Sequence, residues 1–125
     1  MLGGVGVTAM DSLSQTQSYA PIAQASMWVN VATKFPKFNV SLFAGYVQNL
    51  GSQKAFVGSV YARGGDIAYI YRIAPQLSYK MGKVILFSET EYTASAYGIP
   101  DKYCKVSAAK AVGNLRQNLS VLFLF

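Results

Sequence analysis

Apolar and polar residues alternate along most of this chain, and the alternation predicts β-strands. At the carboxy-terminal end, four apolar residues occupy every second position: Leu119, Val121, Phe123 and Phe125. Asn118 and Ser120 fall between them. Because successive side chains of a strand point to opposite faces, this spacing predicts a strand with one apolar face.

The same pattern recurs upstream and predicts strands at about 2–10, 26–35, 38–48, 67–80, 83–96 and 115–125. Stretches rich in glycine and polar residues predict three long outer loops, at about 11–25, 49–66 and 97–114. Two-residue turns are expected at Pro36-Lys37 and Met81-Gly82. The predicted fold class is therefore all-β, an antiparallel meander of five to six strands within one partial domain, 1–125.

Pairing across the predicted turns places specific residues opposite one another. The second turn brings Arg72 against Glu91, with Glu89 one diagonal step away, on the face opposite the apolar row. The first turn sets Trp28 against Gly45. Two carboxylates on one strand resemble an acid/base pair, but the neighbouring arginine favours a structural or pore-lining role.

The composition of the chain favours a membrane-embedded sheet over a soluble one. The chain is 52% hydrophobic but only 13% charged, against about a quarter in typical soluble domains. No apolar run approaches the roughly 18 residues that a membrane helix needs. An apolar chain without apolar runs is typical of a transmembrane β-barrel.

Other chemistries find little support in the residue counts. The net charge of +6 comes from singly scattered Lys and Arg, so a nucleic-acid partner is not predicted. One cysteine and no histidine exclude a disulfide within the chain and the usual zinc ligand sets. We predict no enzyme activity, no cofactor and no metal site.

The predicted connections alternate between tight turns and long loops, as in outer-membrane barrels, where short turns are periplasmic and long loops lie outside. A barrel of this class starts at about eight strands, so the chain is expected to be the carboxy-terminal segment of a larger barrel or to assemble with other chains. The alternative is a soluble β-sandwich, a binding or adhesin-like module.

In the barrel interpretation, the two faces have different roles. Residues expected to face the lumen are Lys34, Arg72, Glu89, Glu91 and Arg116. Residues expected to face lipid are Leu119, Val121 and Phe123. A wall with three cations would favour anions, although the two glutamates partly offset it.

Several short motifs resemble one known family. They are F-A-G-Y-V-Q-N-L-G at 43–51, Y-R-I-A-P-Q-L-S-Y at 71–79, E-T-E-Y-T-A-S-A-Y-G at 89–98, V-G-N-L-R at 112–116 and the terminal phenylalanine. In this order they resemble the carboxy-terminal third of the DcaP-like trimeric outer-membrane porins and their relatives in Bacteroidetes-type bacteria. Cys104 stands where such a porin is expected to carry glycine.

The resemblance implies a passive channel in the bacterial outer membrane for small anionic solutes such as dicarboxylates. It implies a homotrimer in contact with outer-membrane lipid. It also implies that the barrel-assembly machinery reads the last strand, with Phe125 as the key residue of that signal.

Overall fold

The computed structural model describes residues 2–11, 13 and 16–125, and every regular element within them is a β-strand. The strands are β1 (Gly3–Asp11), β2 (Thr16–Ala32), β3 (Phe38–Gly51), β4 (Val60–Arg63), β5 (Ile67–Met81), β6 (Val84–Pro100) and β7 (Val106–Phe123). The predicted all-β antiparallel meander is confirmed, with seven strands rather than five or six.

One strand departs from the meander. The order in the sheet is β4-β1-β2-β3-β5-β6-β7, so β3 pairs directly with β5. The short strand β4 instead extends the edge beside β1, with Gly3 opposite Arg63 and Gly6 opposite Val60. The predicted loop at 49–66 therefore contains the end of β3 and all of β4.

The predicted loop at 11–25 is wrong over most of its length, because β2 already begins at Thr16. The many polar residues of this stretch obscure the strand pattern in the sequence. In the structure Ala20 and Ile22 are buried and lie opposite Gly6 and Gly4 of β1. Residues 12, 14 and 15 of that prediction lie outside the described residues.

The predicted loop at 97–114 is also wrong, because β6 continues to Pro100 and β7 starts at Val106. Only 101–105 connects them. Ala108 has a positive φ of 51°, an uncommon conformation that disturbs the regular alternation of the strand. The apolar periodicity is therefore lost at Ala108 although the strand continues. The predicted last strand, 115–125, is the second half of β7 plus two residues.

The first hairpin keeps the predicted register, since Thr33 N donates to Val40 O at 2.9 Å, whereas the second turn is displaced. Residues 33–37 connect β2 to β3, where Phe35 N donates to Asn39 Oδ1 at 2.8 Å and Val40 N to Thr33 Oγ1 at 2.9 Å. Side chains thus replace the expected two-residue turn. The second turn consists of Gly82 and Lys83, one residue later than predicted, and Gly82 has a φ of 59°.

Among the described connections, the expected alternation of short turns and long loops is not observed. The connections after β2, β5 and β6 comprise 33–37, 82–83 and 101–105, all short, and the only long described connection, from β3 to β5, contains β4. The orientation that was predicted from loop length stays a prediction without that support.

The chain divides into two compact units that share the long strands. Within the described residues, the first unit comprises 2–11, 13, 16–26, 47–70 and 95–112, and the second comprises 27–46, 71–94 and 113–125. In the first unit a segment at 52–59 lies against β1. Phe56 N donates to Lys102 O at 2.7 Å and Val57 N to Val7 O at 2.9 Å. This segment contributes to the burial of Val7, the largest fully buried side chain described.

Candidate functional site

A carboxylate held by two guanidinium groups lies on the polar face of the second unit. Glu91 Oε2 is 3.3 Å from Arg72 Nη1 and 3.0 Å from Arg116 Nη2. Its side chain is only 12% exposed, whereas those of Arg72 and Arg116 are 49% and 63% exposed. The hydroxyl of Thr93 donates to Glu91 Oε1 at 3.3 Å. Glu91 is therefore the centre of a shared ion pair.

Strand order explains the cluster. Glu91 is on β6, between Arg72 on β5 and Arg116 on β7. With Gly82 and Lys83 as the turn, counting back from Met81 and Val84 sets Arg72 opposite Thr93, and Arg72 Nε donates to Thr93 Oγ1 at 3.3 Å. The predicted contact between Arg72 and Glu91 is confirmed, but as a diagonal one, and the participation of Arg116 was not predicted.

A polar cavity of about 260 Å³ opens beside this cluster. It is lined by Asn30, Ser41, Phe43, Arg72, Ala74, Gln76, Glu89 and Glu91. Ser41 Oγ donates to Gln76 Oε1 at 3.0 Å. The uncharged lining residues were not predicted as site residues, although they share the strand face of the charged ones and parity alone places them there.

Lys34 does not join the other charged residues. It lies in the connection 33–37, is exposed, and is not among the residues that line the cavity. The expected row of three cations therefore reduces to Arg72 and Arg116 at the cluster. Both of these contact the same carboxylate.

Two aromatic rings border the polar face. Trp28 and Phe43 stack with ring centroids 6.4 Å apart and an interplanar angle of 21°. The predicted opposition of Trp28 and Gly45 is confirmed, because Trp28 Cβ lies 3.8 Å from a Cβ built on Gly45. The atoms nearest to that Cβ belong to the ring of Phe43, on the same strand as Gly45, at 3.2 Å.

The other face of the second unit is apolar and uncovered. Leu119, Val121 and Phe123 are 74%, 70% and 52% exposed. On neighbouring strands Val29, Leu42, Leu77 and Leu86 are exposed as well. An apolar groove of about 410 Å³ runs between Leu77, Leu86, Leu119 and Val121. Large contiguous apolar patches are rarely exposed on soluble monomers.

A small polar cluster interrupts that apolar face. Gln117 Nε2 donates to Ser88 Oγ at 3.0 Å, and Thr90 Oγ1 donates to Gln117 Oε1. Both ends of the amide therefore have partners. A polar side chain on an apolar face costs little when its hydrogen bonds are made locally.

Buried polar groups of the first unit are structural. Asn49 Nδ2 donates to the carbonyl oxygens of Ile67 at 3.3 Å and Cys104 at 3.0 Å, and Gly51 N donates to Asn49 Oδ1 at 2.8 Å. Burial, followed by the negative charge of Asp101, raises the pKa of the Cys104 thiol. A thiol in that state is a poor nucleophile and a poor metal ligand.

Among the described residues no His, Cys, Asp and Glu side chains cluster as metal ligands, and none forms a helix long and apolar enough to cross a membrane. Comparison with protein-family models, curated proteins and solved structures gives no match to this chain. The resemblance to DcaP-like porins therefore stays a prediction from short motifs.

Proposed function

We propose that this chain forms part of the wall of an outer-membrane β-barrel channel for small polar solutes. The observation that carries the proposal is the contrast between the faces of the second unit. One face exposes rows of apolar side chains, and the opposite face carries the ion pair of Glu91 and the polar cavity. Barrel strands in a membrane have this pattern, with apolar side chains toward lipid and polar ones toward the lumen.

A soluble β-sandwich is a weaker explanation of the same faces. A sandwich buries the apolar face of one sheet against a second sheet. The described strands all belong to one sheet, and the apolar residues of the second unit remain exposed. Lipid is the partner whose chemistry matches a long apolar surface without charged side chains, on which the polar side chain of Gln117 makes its hydrogen bonds locally.

The charges around the polar cavity favour polar solutes over one sign of ion. Arg72, Arg116, Glu89 and Glu91 together carry no net formal charge. The expectation of an anionic solute such as a dicarboxylate stays a prediction, and the reversal potential of the reconstituted channel in a salt gradient tests it.

Phe125 is proposed to act in assembly. It follows β7, is fully exposed and makes an edge-to-face contact with Phe123, with ring centroids 5.4 Å apart. An exposed terminal aromatic residue suits recognition by the barrel-assembly machinery, and the homotrimer belongs to the same proposal. Removal of Phe125 is expected to reduce outer-membrane insertion in cells without preventing folding in detergent.

Neighbouring residues on β7 give a matched test of the lipid face. Leu119→Arg places a charge on the apolar face and Asn118→Arg places the same charge on the polar face. In phospholipid vesicles, Leu119→Arg is expected to lower the free energy of unfolding by about 2–4 kcal/mol, and Asn118→Arg by roughly 1 kcal/mol or less.

The membrane proposal fails if both substitutions have equal effects, or if the purified chain is soluble and monodisperse without detergent or lipid. A reconstituted protein that gives no conductance steps across a planar bilayer would contradict the channel.

A further inference from the structure

The polar cavity of the second unit contains two opposite charges that do not pair with each other. Arg72 and Glu89 both line it. The guanidinium of Arg72 contacts Glu91 at 3.3 Å and Thr93 at 3.3 Å. Within the described part of the chain, Glu89 makes no ion pair or side-chain hydrogen bond, so its carboxylate is available to a ligand.

Arg72 also retains binding capacity. A guanidinium has five N–H donors, and the recorded contacts of Arg72 involve Nε and Nη1. Its side chain is 49% exposed. A ligand carboxylate can therefore bind the remaining donors while the ion pair to Glu91 stays intact.

We infer that this cavity binds the zwitterion of a small amino acid, with the ligand ammonium at Glu89 and the ligand carboxylate at Arg72. The amide groups of Asn30 and Gln76 line the same space and offer acceptors to the ammonium, whose three N–H groups need them. The ring of Phe43 provides an apolar surface for the ligand's side chain. The inference rests on the proposed function in taking the ligand as a solute that passes this wall.

Electrostatics favours a zwitterion over a simple ion. Glu91 also lines the cavity, but Arg72 and Arg116 both contact it, so these three groups carry one net positive charge beside the carboxylate of Glu89. A lone anion at Arg72 therefore meets the carboxylate of Glu89, and a lone cation at Glu89 meets that net positive charge. A zwitterion satisfies both groups at once. The volume of about 260 Å³ suits a small ligand, since it lies just below the usual range of sites for drug-sized molecules.

The test is a titration of the full chain in a non-ionic maltoside detergent, followed by the fluorescence of Trp28, the single tryptophan. Trp28 stacks on Phe43, which lines the cavity, so a bound ligand changes its surroundings. The probes are L-alanine, propionate and ethylammonium. L-alanine is expected to bind at least ~10-fold more tightly than either analogue, because each analogue lacks one charge-assisted hydrogen-bonding group.

Variants of Glu89 test whether its carboxylate binds the ligand ammonium. Glu89→Gln is expected to weaken L-alanine binding at least ~10-fold and to leave propionate binding unchanged or stronger. Glu89→Asp, which keeps the charge, is expected to retain preference for L-alanine over propionate. The control is Asp66→Asn, which removes one carboxylate from an exposed residue outside the cavity lining and is expected to change nothing. Circular dichroism confirms that each variant keeps its β-structure.

The inference is overturned if propionate binds as tightly as L-alanine, or if folded Glu89→Gln binds L-alanine like the unsubstituted chain. These outcomes are independent of the membrane proposal, which is tested by Leu119→Arg and Asn118→Arg. A chain that binds L-alanine but needs no detergent keeps the site and loses the channel. A chain in which Leu119→Arg is more destabilising than Asn118→Arg, but which does not prefer L-alanine, supports the membrane proposal and contradicts the binding site.

Discussion

Removal of both arginines that hold Glu91 is predicted to cost more than the sum of the two single substitutions. Arg72 and Arg116 each contact Glu91 Oε2, at 3.3 and 3.0 Å. In either single variant, Arg72→Gln or Arg116→Gln, the carboxylate keeps one guanidinium partner. In the double variant it keeps neither.

Exposure sets the expected magnitudes. The arginine side chains are 49% and 63% exposed, and exposed ion pairs contribute about 0.2–1 kcal/mol. Each single substitution is therefore expected to cost about 1 kcal/mol or less. Glu91 itself is only 12% exposed, so leaving its charge without a cation is expected to cost about 3 kcal/mol in the double variant. The excess over additivity is thus about 1 kcal/mol or more.

Urea unfolding in detergent, followed by Trp28 fluorescence, measures these free energies. Changing Glu91→Gln in the double variant removes the isolated charge and is expected to recover about 1 kcal/mol or more. Glu91→Gln alone serves as the reference for loss of the carboxylate. Costs that add within about 0.5 kcal/mol, together with no recovery in the triple variant, would show that Glu91 does not need a cation.

Two further predictions concern the first unit. Gly6→Ala is expected to lower the free energy of unfolding by about 1–3 kcal/mol, because a Cβ there would lie 2.5 Å from the ring of Phe56; urea unfolding measures the loss, and Phe56→Ala in the same chain should restore part of it. Cys104 is expected to react with iodoacetamide at pH 8 more slowly than a cysteine peptide, because its raised pKa leaves less thiolate; mass spectrometry follows the reaction, and equal rates in the folded chain would contradict it.

Strand alternation predicted the fold well where one face of the strand is uniform. In the second unit Leu119, Val121 and Phe123 form an unbroken exposed row, and this strand was found from sequence. In the first unit burial depends on the segment at 52–59, where Val57 N bonds to Val7 O. Local periodicity contains no information on a distant segment, so the start of β2 was missed.

Backbone conformation accounts for the other errors. Gly82 has a φ of 59°, and no positive φ is recorded at Lys83, which fits a turn with glycine in its first position. The sequence is compatible with Gly82 at the first or the second turn position. The predicted turn had Gly82 second and Glu91 opposite Arg72, whereas the structure has Gly82 first and Thr93 opposite Arg72. Because the shift is even, Arg72 and Glu91 stayed on one face and the predicted contact survived.

The candidate site was predictable in its charges and not in their pairing. Strand parity places Arg72, Glu89, Glu91 and Arg116 on one face, but which arginine meets which glutamate depends on register between three strands. Parity places Thr90 on the apolar face of β6, and the structure shows its hydrogen bond to Gln117.

The open edges of the second unit limit how the proposed barrel can close. Its outer strand segments belong to β2 and β7, at 27–32 and 113–123, and within the described residues no strand pairs with their outer sides. In lipid, unpaired backbone groups at such edges each cost several kcal/mol, so both edges must be paired.

Neighbouring strands are antiparallel in the order β2-β3-β5-β6-β7, which makes β2 and β7 run in the same direction. A direct contact between β7 and a β2 edge would therefore be parallel, whereas outer-membrane barrels are antiparallel. An antiparallel barrel built on this unit therefore requires an odd number of further strands between β7 and the β2 edge at which the barrel closes.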